Sequence, residues 1–261
     1  MMTVNVKIGF IGTGGIATAL AKGFCTAPEF EGKVYVFDIN KERTDCLKKL
    51  YPEKIIVAAS NQELVNNVDV VFPTLLPKVL EKVAPEINFR KENHVIHIAA
   101  GTKISKAAPW FAPAQSVVRA VPLPFAARKI GPVVLFGDDE LSREVLALLG
   151  TIVKVKSEKD LEVLAAVTGV MVPYYGLVGE IVRWCMTKDL DFKSALDYTS
   201  YMNEALSTLM REDCTEDIEA FMLENTTPGG MNELGWDEMK ATDGYGPWRS
   251  ALEKIGKHYD L

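Results

Sequence analysis

Gly12, Gly14 and Ala17 form a Gly-x-Gly-x-x-Ala pattern directly after the apolar residues Val6, Ile8, Phe10 and Ile11, and an acid, Asp38, stands 26 positions beyond Gly12. Residues of these types at this spacing suit the capture of a pyrophosphate. Gly12 permits a tight turn, Gly14 lets backbone approach an anion with no side chain between, and Ala17 allows a helix to pack closely on a strand. Thr13, Gly15 and Ile16 complete the turn, where backbone N–H groups and the helix dipole supply an anion site. Asp38 closes a second apolar run, Lys33 to Phe37, near the offset of a ribose-binding carboxylate. Such a carboxylate accepts from a 2′-hydroxyl and repels a 2′-phosphate. The pattern therefore implies NAD(P)H, with NADH favoured. Asn40 and Arg43 follow closely enough to approach a phosphate, and Asp38 also suits the cap of a helix starting near Lys41.

These residues need a sheet to hold them. Further strands are expected at Ile55 to Ala59, Asp69 to Leu75, His94 to Ala100, Ser116 to Val121, Pro132 to Phe136 and Ile152 to Val155, with helices at Ile16 to Cys25, Lys41 to Leu50, Asn61 to Asn66 and Pro77 to Ile87. That rhythm implies a mainly parallel sheet with its ligand at the carboxyl ends of the strands. Those ends carry Thr74-Leu75-Leu76-Pro77, Ala99-Ala100-Gly101-Thr102 and Arg119-Ala120-Val121-Pro122, where a nicotinamide is expected. Past Ser157 the strand pattern stops. Helices are expected at Asp160 to Gly169, Pro173 to Thr187, Lys193 to Arg211, Thr215 to Glu224 and Pro228 to Lys240. The fold class is α/β: an N-terminal Rossmann doubly wound sheet over 1–157, then an all-α domain over 158–261.

The chain has 261 residues and 48% hydrophobic content, enough to bury a large core. The sequence shows no apolar run of membrane-spanning length, and its start reads as a strand rather than a signal peptide, so a cytoplasmic location is expected. Cys25, Cys46, Cys185 and Cys214 are scattered and read as ordinary buried thiols. His94 and His97 lie three apart in a strand and so face opposite ways, a poor metal pair; no metal is expected. Net charge is −6, but residues 158–261 hold 9 Lys and Arg against 20 Asp and Glu, a balance of −11. The acidic half argues against nucleic acid or an anionic membrane as partner.

The order of motifs resembles the pyrroline-5-carboxylate reductase family over nearly the whole chain. The resemblance rests on Ile8-Gly9-Phe10-Ile11-Gly12-Thr13-Gly14, Asp69-Val70-Val71-Phe72, Ile98-Ala99-Ala100-Gly101-Thr102, Val118-Arg119-Ala120, Ala166-Val167-Thr168-Gly169 and Thr227-Pro228-Gly229-Gly230. The last two motifs discriminate, since many Rossmann dehydrogenases share only the glycine turn. The resemblance implies reduction of the C=N bond of a cyclic imino acid by NAD(P)H, and a helical dimerisation domain whose helices interleave between subunits. A homodimer, or a multiple of it, is expected.

An iminium carbon accepts hydride without a metal, so positioning is most of the task. The family holds its substrate carboxylate at the segment matching Thr227, Gly229, Gly230, Met231 and Asn232. Thr227 as cap and Pro228 at the first helical position make that a plausible start for a helix, although an ordinary turn fits the composition as well. Asn232 and Tyr174 are the candidates for contact with the reacting imine. Departures from the family pattern gather here: Val121-Pro122-Leu123-Pro124 lacks the usual Asn, Val170 to Tyr175 replaces a longer Gly-Ser-Gly-Pro-Ala-Tyr stretch, Leu76 replaces a Lys, and Met231-Asn232 replaces a Thr pair. A hydroxyacid-type dehydrogenase is the alternative enzyme, but Pro173 to Thr187 lacks the Lys such enzymes use. A non-catalytic, nucleotide-responsive paralogue is the alternative outside catalysis.

Overall fold

The computed structural model describes residues 3–259 and 261, in two compact units that part between Ala165 and Ala166. The boundary read from sequence, 157/158, falls at the start of the helix Glu158–Val167, whose first turns stay with the first unit because Glu158 and Glu162 pair with Arg119.

The first unit is an eight-stranded sheet of β1 (Lys7–Ile11), β2 (Lys33–Phe37), β3 (Ile55–Val57), β4 (Val70–Pro73), β5 (His94–His97), β6 (Ser116–Val121), β7 (Pro132–Phe136) and β8 (Thr151–Lys154), in the order β3-β2-β1-β4-β5-β6-β7-β8. Every neighbouring pair is parallel except β6 and β7. Alternate strand residues feed two separate cores. Ile8, Phe10, Val70, Phe72 and Ile96 pack with Leu20 and Phe24 on one face, while Ile11, Val71 and Val95 pack with Leu64, Leu80 and Phe111 on the other. Five helices cover these faces and one short turn joins them: α1 (Gly15–Thr26), α2 (Lys41–Leu50), α3 (Asn61–Asn67), α4 (Pro77–Val83), α5 (Ile104–Ala107) and α6 (Glu140–Ala147). Strand order reverses between β1 and β4. A doubly wound sheet opens its ligand crevice at such a point.

The second unit follows α7 (Glu158–Val167) and holds α8 (Met171–Met186), α9 (Phe192–Asp213), α10 (Ile218–Glu224), α11 (Met231–Ala241) and α12 (Gly246–Gly256). Three readings change here. The helix expected from Pro228 begins at Met231, with Gly230 at its cap, so Thr227 is not the cap and Pro228 is not the first helical residue. The turn-rich Asp243 to Pro247 opens an unexpected helix, α12, with Pro247 in its first turn. The third concerns membranes. Glu158–Met186 is one helical stretch of 29 residues that meets the length and composition of a spanning segment, where the sequence showed no such run. Of the four cysteines read as buried, Cys46 is exposed and Cys25, Cys185 and Cys214 are half-buried.

Candidate functional site

β1 ends at a turn that only glycine fits. Gly12 has φ +91°, and a Cβ there would lie 2.7 Å from Leu75 Cδ2. The turn is then held from three sides. Gly12 N–H donates to the Phe37 carbonyl at 2.8 Å, and the Thr74 hydroxyl donates to the carbonyls of Ile11 at 2.9 Å and Gly12 at 2.7 Å. Thr13 donates to Asp38 Oδ2 through its N–H at 2.7 Å and its hydroxyl at 3.0 Å. Thr74 and Leu75 thus support the loop from β4, and Asp38 supports it from β2.

Gly14 and Gly15 differ in kind from Gly12. Gly14 has φ −65° and ψ −177°, a conformation open to any residue, and a Cβ at either position meets nothing within 4 Å. No contact among the described residues demands glycine there. Gly14 carbonyl takes the first helical bond, from Thr18, so the N–H groups of Gly15, Ile16 and Ala17 precede any intrahelical acceptor. α1 has no side-chain cap and no acid in its first turn, and buried Ala17 seats it on the core. The residues therefore fit a dinucleotide: open backbone, unclaimed donors, and an acid at the end of the next strand.

Asp38 does not cap α2. Asn40 does, accepting from Glu42 N–H at 3.0 Å, while Asp38 Oδ1 accepts from Asn40 N–H at 2.8 Å. Burial alone would raise the Asp38 carboxyl. The N–H groups of Asn40 and Thr13, the Thr13 hydroxyl and the Arg43 guanidinium, 3.8 Å away, outweigh it and hold the group below its ordinary value. Ala99, Ala100 and Gly101 follow β5; Ala99 is buried, while Ala100 and Gly101 are exposed, and Gly101 has φ +68°.

In the second unit, Thr227 to Gly230 is a tight turn in which Gly230 N–H donates to Thr227 O at 2.8 Å, with Pro228 second and Gly229 third at φ +74°. Gly229 N–H is already claimed: it donates to Glu233 Oε2 at 2.6 Å. Asn232 donates to Asn225 O at 3.2 Å, and Met231 is 89% exposed. Tyr174 lies on α8 and lines, with Val178, Val182, Phe192 and Leu196, a mostly apolar cavity of about 520 Å³ between α8 and α9. Asn232 is not among its lining residues.

A family model described as NADP oxidoreductase, coenzyme F420-dependent, matches residues 7–101. The pyrroline-5-carboxylate reductase of Escherichia coli (strain K12) is 29% identical over 119 residues, 44% of this chain and 44% of that protein, so the aligned stretch spans less than half of that relative. The pyrroline-5-carboxylate reductase of Corynebacterium melassecola is 26% identical over 96% of this chain and 99% of its own length. The chain is similar to pyrroline-5-carboxylate reductases, at low identity, along nearly its whole length. The fold agrees: the structure of Plasmodium falciparum pyrroline carboxylate reductase with NADP bound superposes with a TM-score of 0.81 at 17% identity, covering 98% of each chain.

Against the family pattern, sequence reasoning overlooked two sets of side chains. Glu233, one position past the proposed carboxylate segment, takes one of its N–H groups. At the carboxyl ends of β5 and β6, His97, Arg119, Glu158 and Glu162 form a polar cluster; residues 39 and 43 positions apart give no local signal. His97 and His94 face opposite ways as expected, His94 toward Asp139 and His97 toward Thr102.

Burial, with Arg119 nearby, pulls the His97 pKa from 6.5 down to about 4 despite the Thr102 carbonyl and Glu158. Between those values the unfolded chain holds a proton that the folded chain refuses. Stability therefore falls as pH drops from 6.5 towards 4, by on the order of 3 kcal/mol in all. His97→Phe should flatten that decline in urea unfolding at pH 7 and pH 4.5. Asp38 works lower: its contribution is lost only as pH falls below about 3.8.

Proposed function

We propose that this chain is an NAD(P)H-dependent reductase of the C=N bond of a small cyclic imino acid, working as a homodimer or a multiple of it. The observation that carries the reading is the pair Gly14 and Gly15, whose missing side chains leave open space beside free helix N–H groups at the strand-order reversal. Similarity to pyrroline-5-carboxylate reductases supports the reaction class.

When bound, a reduced nicotinamide supplies hydride. The chain's own residues do the rest. Gly14, Gly15, Ile16 and Ala17 receive the pyrophosphate, Thr13 and Thr74 keep the turn rigid, and Asp38, ionised at neutral pH, faces the ribose. Its charge repels a 2′-phosphate and favours NADH, although Arg43 beside it tempers the discrimination. The turn from Thr227 through Asn232 receives the substrate, with Asn232 as donor and Met231 as apolar contact. Glu233 must release Gly229 N–H before a substrate carboxylate can use it. Tyr174 contacts the imine side. Large apolar residues left exposed on α8 and α9, among them Trp184, Tyr198, Tyr201 and Leu206, are covered by the second copy.

NADH and NADPH oxidation, measured with pyrroline-5-carboxylate and imino acids of other ring sizes, tests this directly. Turnover of at least one cyclic imino acid is expected, with NADH preferred and the preference narrowed in Asp38→Asn. Nucleotide binding without turnover across the set would leave the nucleotide-responsive reading instead, which Glu233 in the carboxylate turn favours.

A further inference from the structure

The cluster at the ends of β5 and β6 has no part in the chemistry above, yet it is built at some cost. His97 and Arg119 are register partners on parallel neighbouring strands, so their side chains rise side by side from one face. Arg119 is buried and donates through Nη1 to Glu158 Oε1 at 2.9 Å and to Glu162 Oε1 at 3.3 Å. The same Glu158 oxygen accepts the backbone N–H of Ile104 at 2.9 Å. His97 is fully buried and meets the Thr102 carbonyl through Nε2 at 3.0 Å. A carbonyl only accepts, so Nε2 carries the hydrogen, and Nδ1 is left bare, without a partner among the described residues.

The loop from Ile98 to Lys103 leaves β5 directly after His97 and is thereby pinned at its far end. His97 fixes it at Thr102, and Glu158 fixes it where α5 begins. Just before the pins, Ala100 and Gly101 are exposed, and no atom lies within 4 Å of a Cβ built at Gly101. Burying one carboxylate and half-burying another with one guanidinium and an unsatisfied imidazole nitrogen is an inefficient way to gain stability. Holding one loop in one place is a better account of it.

We propose that Glu158 and His97 are positioning residues that set the Ile98–Lys103 loop for the nicotinamide end of the dinucleotide, touching neither cofactor nor substrate. The inference rests on the dinucleotide reading above. It separates the two ends of the ligand: the pyrophosphate and adenosine ribose depend on Gly12 to Asp38, and only the nicotinamide end depends on the pinned loop.

ADP-ribose lacks the nicotinamide and so distinguishes the two. Calorimetric titration of Glu158→Ala and His97→Phe should show NADH and NADPH bound roughly tenfold more weakly than by wild type, with ADP-ribose affinity held within about twofold. Glu158→Gln keeps an acceptor oxygen for Ile104 and Arg119 and should recover most of the NADH affinity, a rescue that lost packing alone would not give. Equal weakening of all ligands, or no weakening of any, overturns the proposal. Should Glu158→Ala fail to fold, His97→Phe decides by the same comparison. Wild-type protein that binds neither ADP-ribose nor NAD(P)H overturns the dinucleotide reading, and the loop assignment with it.

Discussion

Gly14→Val is expected to leave the protein folded, with a melting temperature within about 4 °C of wild type, and to weaken NADH and NADPH binding by more than about a hundredfold. The two halves of that result have different origins. Stability survives because Gly14 sits at φ −65° and ψ −177°, where a β-branched residue is at ease, and its Cβ has no neighbour within 4 Å. Replacing glycine at a helix cap by valine costs about 1 kcal/mol. Binding fails because the isopropyl group fills the approach to the N–H groups of α1, and losing two charge-assisted hydrogen bonds is worth roughly 3 to 6 kcal/mol. Gly12→Val should behave differently, losing both properties, since φ +91° and the Leu75 contact at 2.7 Å strain any side chain. Fluorescence titration beside thermal melts reads both. Retained nucleotide affinity in folded Gly14→Val would remove the main support for the proposed function.

The contrast between Gly12 and Gly14 also shows what the sequence could convey. Both read as parts of one motif, yet only coordinates reveal that Gly12 serves the fold and that nothing in the fold explains Gly14. The strands were legible because buried parallel strands are continuous apolar runs bounded by turn residues, as in Val70–Pro73, which has parallel neighbours on both sides. α2 was legible to the residue because Asn40 caps it and Pro52 follows its end. Failures came where one local signal has two meanings. Thr-Pro-Gly-Gly suits both a helix start and a tight turn; Gly229 at φ +74° selects the turn. No helix was expected past Lys240, but Pro247 is well placed in a first helical turn and opens α12. α6, only eight residues with Asp139 as cap, was too short to stand out between two strands. The Arg119 cluster was invisible for another reason: its members meet only through the fold.

Exposed faces in the second unit carry the other large expected effect. α9 buries Ala195 and Thr199, but Tyr198, Met202, Leu206 and Leu209 recur at spacings of four, four and three, one helical stripe that the single chain leaves open. Tyr198 is 71% exposed and Leu206 55%. Soluble monomers rarely leave such continuous apolar faces in water. If a second copy covers this stripe, the double variant Met202→Glu with Leu206→Glu loses the burial of two large side chains, about 3 to 6 kcal/mol, and must also desolvate two carboxylates. The dimer dissociation constant should then rise by at least about a hundredfold. Light scattering at micromolar concentration should show wild type as a dimer or larger and the double variant as a monomer. Its sheet unit should still bind ADP-ribose, because Gly12, Gly14 and Asp38 all lie before Ala165. A wild-type chain that stays monomeric at that concentration, with its α9 stripe open, would rule out the homodimer and leave the apolar faces of α8 and α9 to another partner.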